Sequence, residues 1–155
     1  MKKQLQLDEA QALKLYPNAS DEFKQMLEDS FGKAFFSKKL IDRISTYEQV
    51  CEELGEDCLT IGSFKQFESH LRKKLLNQAK LLQIANLFNE DWKPNWGNKN
   101  QYKYYNWFKY ENSRLVFGSC GSGSYVPTSG LVFFKDPETA VYIGKTFIDI
   151  YNELL

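Results

Sequence analysis

One histidine and three cysteines are all that the 155-residue sequence offers for thiolate or imidazole chemistry. A structural zinc site takes four ligands, usually in closely spaced pairs, and Cys51, Cys58 and Cys120 contain no C-x-x-C spacing. A Ser or Cys nucleophile needs a neighbouring base, and His70 is the only histidine. We therefore expect no metal site, no cofactor and no enzymatic activity.

Long hydrophobic runs are missing as well. The sequence has no stretch of about 18 apolar residues, which predicts that no helix spans a membrane. The opening segment, MKKQLQLDEA, lacks the apolar core of a secretory signal. Together with the odd number of cysteines, these absences favour reduced thiols and a cytoplasmic location. We expect no membrane partner.

Net charge is also absent, but the charges are unevenly distributed. Residues 1–62 carry 8 basic and 12 acidic residues, whereas residues 63–110 carry 9 basic and 3 acidic residues. The basic region ends in residues 92–110, WKPNWGNKNQYKYYNWFKY, where eight of the 19 residues are aromatic. A basic, aromatic-rich region keeps binding of a polyanion open as a function.

The first part of the chain has the periodicity of helices. A hydrophobic fraction of 43% is sufficient for one domain over residues 1–155, of which 1–91 is the mainly helical portion. Residues suited to cap helix N-termini predict helix starts at Asp8, Ser20, Thr46 and Ser63, while residues 34–45 are ambiguous, with Ser37 as a candidate start of a short helix. Ser63 precedes the apolar spacing of a long helix over 64–89, either continuous or broken near 77–78.

Residues 92–155 are predicted to form a β-hairpin, a further strand and a C-terminal helix. Aromatic and branched residues predict strands at 102–110, 114–118 and 131–134. Asn112-Ser113 fits the hairpin turn, and GSCGSGS at 118–124 suggests a flexible link. Asp136-Pro137 starts a helix that runs to Leu155. The predicted fold is α+β, with a helical N-terminal portion followed by a small three-stranded antiparallel sheet covered by a C-terminal helix.

Three short motifs resemble catalytic sites but fail in context. GKT at 144–146 lacks the earlier glycine of a phosphate loop and lies inside the predicted last helix, where Gly144 is expected to allow close packing on the sheet. Cys120 has only His70 as a possible base. Glu90-Asp91 beside a tryptophan suggests a glycosidase pair, but adjacent residues of one element point in different directions, so a solvated helix end is expected.

The strand over 102–110 presents two different faces. Alternation places Tyr102, Tyr104, Asn106, Phe108 and Tyr110 on one side, the natural core face. The other side carries the candidate ligand-binding residues, Lys103, Tyr105, Trp107 and Lys109. If exposed, this side offers aromatic stacking with cations at its edges. The alternative is that it is buried in the core or in a self-association interface.

Several segments together resemble a family of small uncharacterised proteins from gut bacteria and from their phages and mobile elements. The most specific blocks are NEDWKPNWGN through YKYYNWF and the closing ETAVYIGKTFIDIYNELL, and FGKAFFSKK and TYEQVCEELG resemble the family's N-terminal part. One departure is GSYVPTSG, where family members often have serine-rich sequence and a second arginine. The resemblance implies a bacterial or phage setting, a cytoplasmic location (or a virion location if a phage encodes the protein) and a non-catalytic role, and it transfers no site residues.

The resulting expectation is a non-enzymatic, phage- or mobile-element-associated protein that acts through contacts with a protein partner or a second copy. The alternative is a binding module for single-stranded nucleic acid or carbohydrate, which would use the aromatic and lysine face described above. Exposure of Tyr105 and Trp107 distinguishes a ligand-binding surface from a buried core.

Overall fold

The computed structural model describes residues 7–124 and 132–155. The chain divides into two compact units, residues 1–43 and residues 44–155. The coarse α+β prediction is confirmed, because helices precede an antiparallel sheet and further helices follow it. The prediction of one domain over 1–155 stays a prediction.

The first unit consists of short helices joined by tight turns. They are α1 (Glu9–Leu15), a 3-10 turn (Tyr16–Asn18), α2 (Asp21–Phe31), α3 (Lys33–Phe36) and α4 (Leu40–Arg43). Asp8 and Ser20 cap α1 and α2 as predicted, with the backbone N–H of Gln11 donating to Asp8 Oδ1 at 2.7 Å. The predicted helix start at Ser37 is wrong, because this residue ends α3 and its hydroxyl donates to the Ala34 carbonyl.

The second unit contains four helices and a hairpin among its described residues. The helices are α5 (Tyr47–Leu54), α6 (Ser69–Asn89), α7 (Pro137–Thr146) and α8 (Ile148–Asn152), and the strands are β1 (Lys103–Glu111) and β2 (Arg114–Gly123). Thr46 opens α5 as predicted, with a capping box, and Gly55 ends the helix in the left-handed conformation. None of the described helices is long and apolar enough to cross a membrane.

Helix α6 begins later than the sequence predicted. Ser63 is not its cap, because the Ser63 hydroxyl accepts from the Thr60 N–H at 3.2 Å inside a separate 3-10 turn, Ile61–Phe64. The helix runs without a break through the predicted weak point, where buried Asn77 donates its side-chain N–H to the Lys73 carbonyl. The long helix is therefore continuous from Ser69.

A disulfide joins Cys51 in α5 to Cys58, with 5.5 Å between their Cα atoms. The expectation of reduced thiols is therefore wrong for this pair. The left-handed turn at Gly55 reverses the chain after α5, which brings Cys58 back beside the helix. Spacing alone did not reveal the pair, because the two cysteines are seven positions apart in sequence and the reversal supplies the proximity.

The hairpin is longer than predicted. Asn112 and Ser113, with φ values of 50° and 61°, form the expected turn. However, most of the GSCGSGS segment is part of β2 and pairs with β1, so the prediction of a flexible link is wrong. At Gly121 the lack of a side chain leaves space that the Tyr105 and Trp107 rings of β1 occupy. A bulge lies opposite the Trp107/Phe108 step.

A third strand is not confirmed. Phe134 makes a single antiparallel bridge to Tyr104, with N–O distances of 3.1 and 2.9 Å, and the described residues form a two-stranded sheet. Residue 131, where the third strand was predicted to start, lies outside the described residues. Phe133 and Phe134 are both buried, which explains their strand-like sequence without a ladder.

Two helices rather than one cover the sheet. Asp136 caps α7 and Pro137 follows it, as predicted, but the helix breaks at buried Phe147 before α8. Gly144 allows close approach: a Cβ there would lie 2.6 Å from two ring carbons of Phe117. Asn152 also fixes the edge of β2, because its side chain accepts from the Leu115 N–H at 2.6 Å and donates to the Leu115 carbonyl at 3.1 Å.

Candidate binding surface

Strand β1 has one face turned to the helices. Asn106 donates its side-chain N–H to the Tyr151 hydroxyl at 3.3 Å, and the Phe108 ring lies 4.4 Å from the Tyr151 ring between centroids. Phe108 also meets Phe117 edge-to-face across the sheet. This side is the core face that alternation predicted, except at its two ends: Tyr102, just before β1, is 58% exposed and Tyr110, near the hairpin tip, is 65% exposed.

The opposite face carries Tyr105, Trp107 and Lys109. Directly paired residues of antiparallel strands share a face, and the partners of these three are Gly121, Ser119 and Val116. Trp107 is 58% exposed, Lys109 is exposed and Tyr105 is half-buried. We call the group formed by Tyr105, Trp107 and Lys109, with Ser119 and Gly121 opposite them, the Tyr105/Trp107 surface.

Gly121 determines how the two aromatic rings lie. A Cβ at this position would be 2.6 Å from Trp107 Nε1 and 2.9 Å from Tyr105 Cε2, both too close for a real contact. The rings therefore rest over the backbone of β2, in space that any other residue would occupy. Gly123 lies on the same face and has nothing within 4 Å of its ideal Cβ position. The close fit is specific to Gly121.

The rings of Tyr105 and Trp107 are not coplanar. Their centroids are 5.8 Å apart and their planes meet at 60°. Phe133, only 8% exposed, supports Tyr105 from the other side with an edge-to-face contact at 6.3 Å, and Trp96 packs on Phe133 at 5.1 Å. Tyr105 is thus held by aromatic neighbours, while Trp107 stands at the open end of the row.

Three polar side-chain groups of this surface make no hydrogen bond or ion pair with the described residues. Within residues 7–124 and 132–155, neither Trp107 Nε1 nor the Tyr105 hydroxyl has a hydrogen-bond partner, and Lys109 has no ion pair. The phenol and the ammonium can therefore bind groups from another molecule, whereas the nitrogen edge of the Trp107 indole lies against the backbone at Gly121.

Lys103 does not belong to this exposed surface, which corrects its predicted role as a flanking cation. It is only 1% exposed, and its ammonium donates to the carbonyls of Asn95 and Asn98 at 2.7 and 3.2 Å. The ammonium also lies 5.3 Å from the Trp96 ring centroid. Lys103 holds the loop before β1 in place, because loop carbonyls and an aromatic face supply the environment that water would otherwise give.

The residues considered for catalysis are not brought together by any described contact. His70 is exposed and lies 3.4 Å from the carboxylate of Glu68, while Cys120 lies in β2 opposite Asn106. Burial raises the pKa of the Cys120 thiol, which disfavours the reactive thiolate. Among the described residues, no group of three His, Cys, Asp or Glu side chains could hold a metal ion.

Glu90 and Arg72 have structural partners. Glu90 binds the Lys135 ammonium at 2.7 Å, next to the end of α6. Arg72 donates from its guanidinium to the carbonyls of Phe67 and Lys65, at 2.7 and 3.0 Å. These contacts stabilise turns, and they leave the Tyr105/Trp107 surface as the candidate site with exposed aromatic rings and unengaged donors.

Sequence reasoning identified the two aromatic rings but missed the glycine beneath them. The signal was present in the small residues of 118–123, which were interpreted as a link. Comparison of the chain with protein-family models, curated proteins and solved structures gives no match. The resemblance to a family of phage and gut-bacterial proteins therefore stays a prediction.

Proposed function

We propose that the protein is a non-enzymatic, phage- or mobile-element-associated bacterial protein that acts through protein contacts made by the Tyr105/Trp107 surface. The observation that carries the proposal is the 58% exposure of Trp107 on a sheet face whose opposite side packs on helices. Tryptophan and tyrosine contribute most strongly to protein interfaces when a partner desolvates them.

The two rings are held in place by their neighbours, which favours a binding role over incidental exposure. Tyr105 is packed on Phe133, and Gly121 lets both rings rest on the backbone, so little side-chain entropy remains to be lost when a partner binds. The alternation of aromatic, small and charged groups also matches the polar rim and apolar centre of an interface.

Light scattering over a range of protein concentrations tests self-association by this surface. We expect the mass to rise with concentration for the wild type and for Gly123→Ala, and to remain that of a monomer for Trp107→Ala and Gly121→Ala. Because Gly123 has open space where Gly121 has two rings, the pair separates an effect of the surface from an effect of glycine replacement. Identical masses for all four proteins at every concentration would remove self-association by this surface.

The second candidate is a binding module for single-stranded nucleic acid or carbohydrate. The exposed indole of Trp107 beside Lys109 and the Ser119 hydroxyl favours it, since bases and sugars both stack on indole rings and need nearby polar groups. Titration with an oligonucleotide and an oligosaccharide, followed by tryptophan fluorescence, separates the two ligands. Quenching that weakens with salt supports the nucleic acid.

A further inference from the structure

We infer that the outer edge of β2 pairs in antiparallel orientation with the same edge of a second copy of the chain, which joins two hairpins into one continuous sheet. The inference rests on the proposed protein-contact function and names the partner and the geometry of the contact. It follows from the unpaired backbone groups of β2, from the small uncharged side chains of this strand and from the position of the Trp107 indole.

Two contacts show which backbone groups of β2 point away from β1. The first is at Tyr104, which exchanges both of its backbone hydrogen bonds with Phe134 on the outer side of β1. Opposite residues of an antiparallel pair exchange both bonds or neither, so the partner of Tyr104 in register, Ser122, also directs its N–H and C=O groups away from the hairpin. Because these groups alternate in direction along a strand, those of Cys120 point outward as well.

The second contact is at Leu115, near the hairpin turn. The N–H and C=O groups of Leu115 bind the Asn152 side chain, so an amide takes the place that a neighbouring strand would occupy. Alternation then directs the backbone groups of Phe117 outward, up to the bulge opposite the Trp107/Phe108 step. The contact with Asn152 shows that the outer edge of β2 accepts a peptide-like partner.

The rest of this outer edge is open. Within residues 7–124 and 132–155, the backbone N–H and C=O groups of Phe117, Cys120 and Ser122 have no hydrogen-bond partner, and β2 pairs with no strand except β1. No residue of β2 is buried. Such an edge selects an extended backbone, because a strand places donors and acceptors at the matching spacing.

The side chains at this edge favour a second copy as the occupant. Residues 118–124, GSCGSGS, contain no charge, no proline and no large side chain. Exposed edges are usually protected by lysine, proline or cover from another element. Two copies of this strand meet without like-charge repulsion and without steric conflict. A register centred on Gly121 places Cys120 opposite Ser122 of the second copy, and the reverse, so that each pair exchanges both of its backbone hydrogen bonds.

The same register brings the two Trp107 rings together. A Cβ on Gly121 would lie 2.6 Å from Trp107 Nε1, so the indole lies over β2 at the centre of the pairing. The two Gly121 residues form a non-hydrogen-bonded pair, with Cα atoms about 4.5 Å apart on a shared face. Each indole therefore covers part of the other, which removes from water a ring that is 58% exposed in one copy. This apolar burial adds to backbone hydrogen bonds that contribute little by themselves in water.

Substitutions at Ser122 test the edge without changing the Tyr105/Trp107 surface. Ser122→Pro removes an outward N–H that has no partner among the described residues of one copy, so the hairpin keeps its own bonds while the second copy loses a donor. Ser122→Val keeps the N–H and is the matched control. Circular dichroism checks that both variants are folded.

Light scattering over a range of concentrations then measures the association. We expect the mass of the wild type and of Ser122→Val to rise towards that of a dimer. The lost bond occurs twice in the symmetric pairing, so Ser122→Pro should associate at least about tenfold more weakly.

Amide hydrogen exchange of the wild type, followed by NMR, gives a second test that needs no variant. The N–H groups of Cys120 and Ser122 should exchange at least about tenfold more slowly at a concentration where the dimer dominates than at one where the monomer does. The N–H of Leu115 is the internal control, because Asn152 already binds it in one copy.

Three outcomes would overturn the inference. They are a wild type that is monomeric at every concentration, equal association of Ser122→Pro and Ser122→Val, and exchange at Cys120 and Ser122 that does not respond to concentration. If Ser122→Pro associates as the wild type does while Trp107→Ala is monomeric, the copies meet through the Tyr105/Trp107 surface without the edge. The proposed protein-contact function then stands although the edge pairing has failed.

Discussion

Gly144→Ala is the substitution for which the structure gives the clearest conflict between local and tertiary effects. Inside a helix, alanine is favoured over glycine by about 1 kcal/mol. In α7, however, the new Cβ would lie 2.6 Å from two ring carbons of Phe117 and 2.8 Å from Asn106 Nδ2. Ordinary contacts begin near 3.4 Å, so either the helix or these side chains must move by about 1 Å.

The surroundings leave little room for that movement. Phe117 meets Phe108 edge-to-face, and Asn106 donates to the Tyr151 hydroxyl, so both neighbours of Gly144 are held by further core residues. Overpacking of a core by one methyl group costs roughly 1–3 kcal/mol. Because three atoms are in conflict, we take an overpacking cost of about 2–3 kcal/mol. Subtracting the gain of about 1 kcal/mol from helix propensity leaves a net decrease of about 1–2 kcal/mol in the free energy of unfolding.

Urea unfolding followed by circular dichroism measures this loss directly. For a chain of this size, it corresponds to a decrease in Tm of about 2–8 °C. Gly123→Ala is the control, because nothing lies within 4 Å of its Cβ position, and we expect a change below about 0.5 kcal/mol. The double variant Phe117→Leu with Gly144→Ala should be about 1 kcal/mol more stable than the sum of the two single effects predicts. Stabilisation by Gly144→Ala, or strict additivity in the double variant, would refute the close-packing argument.

Three further predictions concern stability. Lys103→Met should lower the free energy of unfolding by about 1.5–3 kcal/mol, since two charge-assisted bonds to loop carbonyls are lost, and unchanged urea unfolding would contradict this role. Dithiothreitol should destabilise the wild type by about 2 kcal/mol, because it opens the short loop that the Cys51–Cys58 disulfide closes, and it should leave the double alanine variant unaffected. Burial raises the pKa of Tyr151 to about 12, above the value of about 10 in the unfolded chain. The neutral phenol therefore contributes its full stabilisation below about pH 10, and about 2–3 kcal/mol of the free energy of unfolding is lost as the pH rises towards 12. Tyr151→Phe should abolish this pH dependence.

Helix starts were predictable where one side chain supplies the whole signal. Asp8, Ser20, Thr46 and Asp136 each accept from the backbone N–H three residues later, a bond that depends only on local sequence. The prediction that Ser63 caps α6 was wrong, although its hydroxyl does accept from a backbone N–H. That N–H belongs to Thr60, so the bond closes the turn before the helix. Local chemistry indicates that a cap exists, but not which of two neighbouring turns it serves.

The β region was harder to predict because its determinants lie on the partner strand. Alternation separated Tyr105 and Trp107 from the core face correctly, since side chains of any strand alternate. Alternation could not show that Lys103 is buried, because the carbonyls that bind its ammonium belong to a loop whose path the sequence does not define. Nor could it show that Gly121 lies beneath the aromatic rings, which depends on register and on a bulge.

Gly144 and Gly121 both permit close packing, on opposite faces of the hairpin, but they differ in how much apolar surface the packing buries. A two-stranded sheet is only marginally stable alone, and Gly144 lets α7 pack closely on one face, which supplies the missing burial. Gly121 also permits close packing, but the group it admits is Trp107, which remains 58% exposed and so contributes little burial. A cross-strand contact of this kind is worth about 0.2–1 kcal/mol. The stability of the fold therefore does not require the indole at this position, which favours a binding role for the Tyr105/Trp107 surface.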